Sequence, residues 1–435
     1  TDIDDLESFG LLMDLAMQGS GTGAVLEDYL VEQLPPVVVP IVIGHVGLFG
    51  DGPGQPSTTS TGNIRTGEVL LRVGDSRRGW VEAYQQLINW AHDSVLQAQL
   101  QSDGHDALTV NIDLSQVRPA GTPLAGFGGT ANPTQLPRMF RKVVEVLGSA
   151  LGSKLTPIQA CLLIDSAAAC VVAGNIRRSA GMRQFSSSNA EAATAKQNLY
   201  VQDGEGNWTV DVEREDLRMA NHTRCWHSKP RKEDVLAAVQ LQFHTGEGAI
   251  QYVPEALARA NRDLLSDPDD RESFLSLYGE GFGREMLCSL IDVERPAMPK
   301  EAKDAELDHR LRRYGLNPCG EILGSDFHCN LAEVHLNQLD FIDMQAQEMA
   351  FRAAALQVCA LLHHQFKEPR YAYSRGLDPI VGVSFTGLFD FFAKTFGRDW
   401  LEWMAGGRKD GKRSHEWIAQ EAAYLQHWRN WVEDE

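Results

Sequence analysis

The chain lacks several features that would have sorted it quickly. No apolar run approaches the length of a membrane span, and no secretory signal pattern is visible, so a membrane role is not expected and the cytoplasm is the expected compartment. Basic charge is scarce: 40 Lys and Arg stand against 59 Asp and Glu, a net charge of −19 over 435 residues. Such a chain repels bulk nucleic acid, and any phosphate site must be built from a few local basic groups. No CxxC pair exists, and the seven cysteines, at 161, 170, 225, 288, 319, 329 and 359, follow no pattern. That odd set excludes a disulfide scaffold and points to a reducing compartment. No repeat of 20–50 residues is present either, which removes solenoids and propellers.

What remains is a globular composition, 43% hydrophobic and 23% charged, in which strands alternate with long helices. That alternation argues α/β, as a doubly wound sheet or a parallel barrel. A helical pattern runs from Ile3 to Ala16 and stops at Gly19-Ser20-Gly21-Thr22-Gly23. The three glycines suit either a flexible anion-binding turn or a helix stop with tight packing; because they follow a helix, they are not a dinucleotide fingerprint. Residues 37–43 read as a strand that Pro40 confines to an edge or bulge. Residues 50–63 read as a long surface loop, and strands are expected at 69–73 and 108–112 with one helix over 80–100 between them. A helix with a well-marked start follows Thr156 and Pro157, and its Cys161 and Cys170 read as core cysteines. After it come Gly174, Asn175, Arg177 and Arg178, two arginines able to grip a phosphate or base, with a surface ion pair as the competing role.

Residues 184–197 read as a mobile loop, 233–245 as an amphipathic helix through Leu236, Val239 and Phe243, and 264–310 as a charged helical excursion. A long helix is expected over 341–366, with His363 and His364 suited to its C-terminal dipole, and a strand over 380–385. The tail places Trp417, Tyr424, Trp428 and Trp431 on one face, which must pack on something. Both ends look cut, so a fragment is expected.

The chemistry gathers at Asn317-Pro318-Cys319-Gly320-Glu321-Ile322, followed by His328-Cys329-Asn330-Leu331. Cys319 can be a nucleophile or a radical, Glu321 can move a proton and Asn317 can orient a hydroxyl. In an extended segment, alternation puts 317, 319 and 321 on one face, with Gly320 on the other to let a backbone approach. The competing roles are a buried structural cysteine and a zinc site of Cys319, His328 and Cys329, whose spacing fits no common zinc pattern.

This segment resembles the active-site segment of ribonucleotide reductases, most closely the monomeric adenosylcobalamin-dependent class. The resemblance also covers Gly74 to Trp80 (GDSRRGW), Arg118 to Thr130, Ala173 to Ala180 (AGNIRRSA), Gly382 to Leu388 and Cys329 to Leu336, in the family's order. It implies a ten-stranded α/β barrel, incomplete at both ends, with Cys319 on a loop inside it. Residues 1–30 would open the barrel, 31–116 would be an effector-binding insertion and 117–435 the rest of the barrel. It implies reduction of ribonucleotides to 2′-deoxyribonucleotides by a thiyl radical, with adenosylcobalamin as cofactor and nucleotide effectors. Cys319 would carry the radical, Glu321 the 3′-hydroxyl proton, Asn317 the ribose hydroxyls, and Cys329 one half of a redox pair whose partner is missing. Substrate and effector contacts would involve Gly174, Asn175, Arg177, Arg178, Asp75 and Arg77; for Asp75, Arg77 and Arg78 a solvated helix start competes. Asn221-His222-Thr223 sits where the family has an Asn-x-Ser/Thr element near its active site, and for His222 a hydrogen-bonded structural role competes. The partners implied are a ribonucleoside triphosphate or diphosphate, a deoxynucleotide effector and a thioredoxin-like reductant, with no nucleic acid and no membrane. A separate metal-containing radical subunit, or a non-catalytic nucleotide-binding fragment, are the alternatives, and the isolated chain is expected to be inactive.

Overall fold

A computed structural model of the chain describes residues 1–124, 130–170, 180–197, 199–409 and 411–435. The chain divides into two compact units, Thr1–Ser325 and Asp326–Glu435.

The first unit opens with α1 (Glu7–Met17), which ends where Gly19 turns into the left-handed region, φ +72°. The following glycines do not form a loose turn. Thr22–Val25 is a strand, β1, followed by the short α2 (Asp28–Val31). Next comes a small sheet. β2 (Ile41–Val46) starts later than the expected residue 37, with Pro40 immediately before it rather than inside it, and it is an edge strand. Its partners are β3 (Thr59–Asn63), β4 (Glu68–Arg72) and, after two helices, β5 (Leu108–Asp113), in the order β2-β5-β4-β3. Only β3 runs antiparallel, and it lies inside the stretch expected to be loop. Its five residues are all exposed, so no apolar alternation announced it.

The single helix expected over 80–100 is two, α3 (Arg77–Ala91) and α4 (Ser94–Ser102). Asp93 restarts it, its carboxylate accepting from the backbone N–H of Val95 and Leu96 at 2.9 and 3.0 Å. Two buried helices follow, α5 (Leu136–Ser149) and α6 (Pro157–Cys170). The start of α6 is a reciprocal cap: Gln159 N donates to Thr156 Oγ1 and Thr156 N donates to Gln159 Oε1.

The stretch expected as a mobile loop holds the end of β6 (Gly181–Ser186) and α7 (Ala190–Thr194). A hairpin, β7 (Tyr200–Gln202) and β8 (Trp208–Val210), leads to β9 (Ala220–Trp226), α8 (Lys232–Thr245) and β10 (Ala249–Tyr252). Strands β1-β6-β9-β10 form one sheet, parallel throughout. A parallel sheet needs cover on both faces. Helices α1 and α6 supply part of it. Helix α8 departs from expectation: Leu236, Val239 and Phe243 are exposed and Ala238 alone is buried. The charged stretch becomes α9 (Val253–Ala260), α10 (Pro268–Gly279), α11 (Gly283–Glu294) and α12 (Lys300–Leu311). They share a core of Phe274, Leu287, Ile291 and Leu307 with Tyr314 and Val25. The unit closes with a short antiparallel hairpin, β11 (Gly315–Leu316) and β12 (Leu323–Gly324).

In the second unit β13 (Asn330–His335) is followed by α13 (Met344–Leu362), α14 (Pro369–Leu377) and β14 (Val381–Thr386). The two strands pair in parallel, which makes this a βαβ unit. Helices α15 (Leu388–Ala405) and α16 (Gly411–Asp434) complete it. The tryptophan face of the tail finds its partner here: Trp428 is buried, stacks on Phe351 at 5.4 Å and donates from Nε1 to Gln347 Oε1. Among the described residues no helix is long and apolar enough to cross a membrane.

Candidate active site

The Asn317 to Ile322 segment is the loop of the β11–β12 hairpin, not an extended strand. A β-turn closes it, with Gly320 N donating to the carbonyl of Asn317 at 3.0 Å, and Gly320 at φ +76°. Asn317 Oδ1 accepts from the backbone N–H groups of Glu321 and Ile322, both at 3.1 Å. Residues 317, 319 and 321 therefore come together through a turn rather than through alternation. Asn317 has a structural duty besides any chemical one: its carbonyl oxygen holds the loop, which leaves the Nδ2 hydrogens for a ligand. Cys319 and Glu321 are exposed on this loop.

The hairpin sits on the parallel sheet through buried amides. On β6, Gln184 faces the hairpin and its neighbour Arg183 faces α6, as period-two alternation requires. Gln184 Oε1 accepts from Leu316 N at 2.7 Å, and Gln184 Nε2 donates to the carbonyl of Tyr314 at 3.0 Å. Gln251 of β10 donates to the same carbonyl at 2.8 Å, and the two glutamines are joined at 2.7 Å. Asn221 of β9 donates from Nδ2 to the carbonyl of Pro318 at 3.0 Å. The glycines of β1 explain the close fit. A Cβ on Gly23 would lie 2.1 Å from the carbonyl oxygen of Leu316, and one on Gly21 would lie 2.6 Å from the Pro318 ring. Tight packing is thus the role of this glycine run, and the close backbone approach expected at Gly320 belongs to Gly23 instead.

Beneath β11 lies a second polar group. Tyr314 donates to Glu27 Oε2 at 2.5 Å, its oxygen is 2.9 Å from Tyr29 Oη, and His227 lies 2.9 Å from Glu27 and from Tyr278 Oη. Burial pushes the Tyr314 hydroxyl well up and that of Tyr278 up to about 12, so both stay protonated as donors.

His222 lies on the helix side of β9, buried among Cys161, Asp165 and the ring of Phe185. One donor atom each from Cys161, Asp165 and His222 lie within 4.8 Å of one another. The carboxylate is already engaged: Arg183 meets Asp165 Oδ1 with Nε at 3.0 Å and Nη2 at 2.8 Å, and Cys161 Sγ donates to Oδ2 at 3.3 Å. Burial, helped by Lys196 and Arg183, holds the His222 ring well below the usual histidine range. Both oxygens of the carboxylate are thus engaged by protein groups. A metal there would compete with a guanidinium for the one carboxylate, so His222 takes a structural role.

The other residues singled out from sequence fall elsewhere. Asp75 is buried and paired with Arg118, whose Nε lies 3.0 and 2.9 Å from its two oxygens, and it also accepts from Gly54 N and Arg118 N. Arg77 pairs with Asp14 at 3.2 Å and Arg78 with Glu82 at 3.6 Å. A solvated helix start describes Arg78 but not Asp75. Gly174, Asn175, Arg177 and Arg178 lie outside the described residues. Cys329 belongs to the second unit, immediately before β13. Sequence reasoning missed Gln184, Gln251 and Arg183. A buried strand carrying adjacent Arg and Gln was the available signal, since both must find partners.

Residues 58–147 match the family model described as B12-dependent ribonucleotide reductase, insertion domain. The chain is 27% identical over 409 residues to the adenosylcobalamin-dependent ribonucleoside-triphosphate reductase of Lactobacillus gasseri, covering 89% of this chain and 46% of that protein. The enzyme of the same name from Lactobacillus leichmannii is 31% identical over 198 residues, 44% of this chain and 26% of the other. Among solved structures, a crystal structure of B12-dependent (class II) ribonucleotide reductase superposes with a TM-score of 0.54 at 21% identity, over 89% of this chain and 46% of that one. The chain thus spans about half the length of the curated relatives it matches along most of its own. Residues 58–147 are thus similar to the insertion domain of B12-dependent ribonucleotide reductases, most of the chain is similar in sequence to adenosylcobalamin-dependent ribonucleoside-triphosphate reductases, and its α/β fold is shared with a class II enzyme.

Proposed function

We propose that this chain carries the chemical centre of an adenosylcobalamin-dependent ribonucleoside-triphosphate reductase, working in the cytoplasm. The observation behind the reading is the 317–322 loop itself: a thiol, a carboxylate and an amide on one turn, anchored by buried glutamines to a parallel sheet. The four parallel strands of the first unit would be staves of the family's ten-stranded barrel. Residues 31–116 would be the effector-binding insertion for a deoxynucleotide, with Asp75 acting there by holding the loop around it and Arg77 by tying the start of α3 to Asp14 of α1.

The roles follow from the chemistry of each group. The Cys319 sulfur is exposed, which suits access by a bulky radical source, and the residues of its loop would meet that source. Adenosylcobalamin, when bound, supplies the one-electron oxidant. The Cys319 thiyl takes the hydrogen atom from the ribose 3′ carbon, Glu321 takes the 3′-hydroxyl proton, and the Asn317 amide hydrogens bind the ribose oxygens. The 2′ hydroxyl leaves as water. Two thiols, Cys329 and a second one, give up two electrons and close to a disulfide, which a thioredoxin-like dithiol reopens.

The test is deoxyribonucleotide formation from a ribonucleoside triphosphate with adenosylcobalamin and a dithiol. It is run on the chain alone and on the chain joined to the segments of the Lactobacillus gasseri relative that it does not span. Cys319→Ser is expected to abolish turnover, because a serine O–H is too strong to yield the radical. Glu321→Gln is expected to keep nucleotide binding and lose most of kcat. Undiminished turnover by Cys319→Ser would overturn the reading.

A further inference from the structure

Arg375 is the last-turn cation of α14. Its Nη2 donates to the carbonyl of His328 at 3.3 Å and to Asn330 Oδ1 at 2.7 Å. Those residues flank Cys329 on either side. The guanidinium lies over the Phe366 ring at 5.3 Å, which fixes its plane. Its Nε and Nη1 are buried and have no hydrogen-bond partner among the described residues. A buried guanidinium edge with nothing to donate to costs free energy unless an anion meets it during function. Burial lowers the Arg375 affinity for its proton and the Cys329 sulfur raises it, so the two groups act on each other.

The surroundings make Arg375 the fixed positive charge there. His328 stacks on Phe366 at 4.5 Å, and burial and then Arg375 hold its ring down to about 4, so it is neutral at ordinary pH. His364 and Tyr371 also border the Phe366 ring, and Asp326 lies three residues before Cys329 with the opposing charge.

We propose that Arg375 is the positioning residue of Cys329: it bridges the sulfur's two neighbours and gives its unpaired Nε–Nη1 edge to the thiolate formed in dithiol–disulfide exchange. The inference rests on the redox role proposed for Cys329 above. In that exchange the thiolate of an external dithiol attacks the sulfur bonded to Cys329. A new S–S bond forms to the external sulfur, the old one breaks, and its electron pair leaves on the Cys329 sulfur. The second external thiol then closes the external disulfide and completes the two-electron transfer. Arg375 balances the departing thiolate, so no proton is needed at that step. A thiolate leaves faster the lower its affinity for a proton.

The experiment follows the rate at which iodoacetamide alkylates Cys329 in the full 435-residue chain between about pH 5.5 and 9.5, read by mass spectrometry of the Cys329 peptide. Cys359, part-exposed on α13, is the internal control in the same digest. The wild-type midpoint is expected below the roughly 8.5 of a free cysteine. Arg375→Gln is expected to raise it by about one unit, a roughly tenfold slower reaction near neutral pH, and Arg375→Lys to keep most of the shift. A wild-type midpoint at or above about 8.5 overturns the proposal whatever the variants do. So does an Arg375→Gln profile equal to wild type, or an Arg375→Lys profile equal to Gln. Failure of the underlying reading looks different: Cys329→Ser would sustain multiple turnovers with a dithiol while the alkylation midpoint still depended on Arg375.

Discussion

The side-chain amide of Asn221 donates to the carbonyl of Pro318 at 3.0 Å, and so β9 of the parallel sheet holds the residue that directly precedes Cys319. This hydrogen bond, with those from Gln184 and Gln251, limits how far the Cys319 loop can move. Reaction geometry tolerates little slack, because a misplacement of about 1 Å can cost on the order of a hundredfold in rate. Asn221→Ala removes the donor and leaves the carbonyl near solvent, so stability should fall by only about 1 kcal/mol. Turnover should fall far more, with nucleotide affinity nearly unchanged. Equal losses in melting temperature and in kcat would show that Asn221 matters to folding alone.

The glycines of β1 make a sharper test of the same seat. Gly23→Ala places a methyl group 2.1 Å from the Leu316 carbonyl oxygen, and backbone rather than a pliant side chain must yield. Overpacking of this kind costs about 1–3 kcal/mol. The expected result is a lower denaturation midpoint together with faster hydrogen exchange at residues 315–324. Gly204→Ala is the control, because a Cβ there meets nothing within 4 Å. Its change should stay within about 0.5 kcal/mol. If the two variants melted alike, the close approach of hairpin and sheet would be wrong.

These contacts also show where the sequence was readable. Local chemistry was plain: Thr156 and Pro157 announced α6, and the order of the Cys319 and Cys329 motifs announced the similarity to B12-dependent ribonucleotide reductases. The turn at 317–322 was not, because Pro and Gly at alternate positions fit an extended chain as well as the turn that Asn317 Oδ1 ties. Helix α8 misled for a different reason: an apolar stripe tells that a face wants cover, not that the cover is present. β3 carries no apolar alternation, so its pairing with β4 left no local trace. Apart from the adjacent Met182 carbonyl, the partners of Arg183 and Gln184 lie 18 to 161 positions away, and no local pattern encodes such distances.

The Arg183–Asp165 pair is fully buried and joins β6 to α6. Removing one member of such a pair strands the other charge, at a cost of about 3–5 kcal/mol. Asp165→Asn or Arg183→Met should therefore lower stability severely, by a larger margin than Cys161→Ala beside them. The double variant Asp165→Asn with Arg183→Met removes both charges and should recover part of the loss. Chemical denaturation of the four variants checks this. A double variant as unstable as the sum of the two singles would mean that the pair contributes through shape, not through charge.

His222 and His328 contribute to the pH dependence of stability, as does His92, whose ring burial also holds below the usual histidine range. The first two rings are held below the ordinary histidine range, His222 by burial and then by Lys196 and Arg183, His328 by burial and then by Arg375, down to about 4. A ring kept neutral in the fold binds a proton more readily once unfolded. Acidification therefore favours the unfolded chain, and stability rises with pH up to the unfolded value near 6.5, then levels off. The window runs from about 4 for His328, and from well below 6.5 for His222, up to that value. Between pH 7.5 and 5.5 each ring should cost about 1 kcal/mol. His222→Asn and His328→Asn should each lower stability at pH 7.5 through lost packing, yet flatten the slope between those two pH values. Melting temperatures at a few pH values, with enthalpies from calorimetry, give the slope directly. Stability that rises as the pH falls through 6, or a slope unchanged in both variants, would show that neither ring is held neutral by its surroundings.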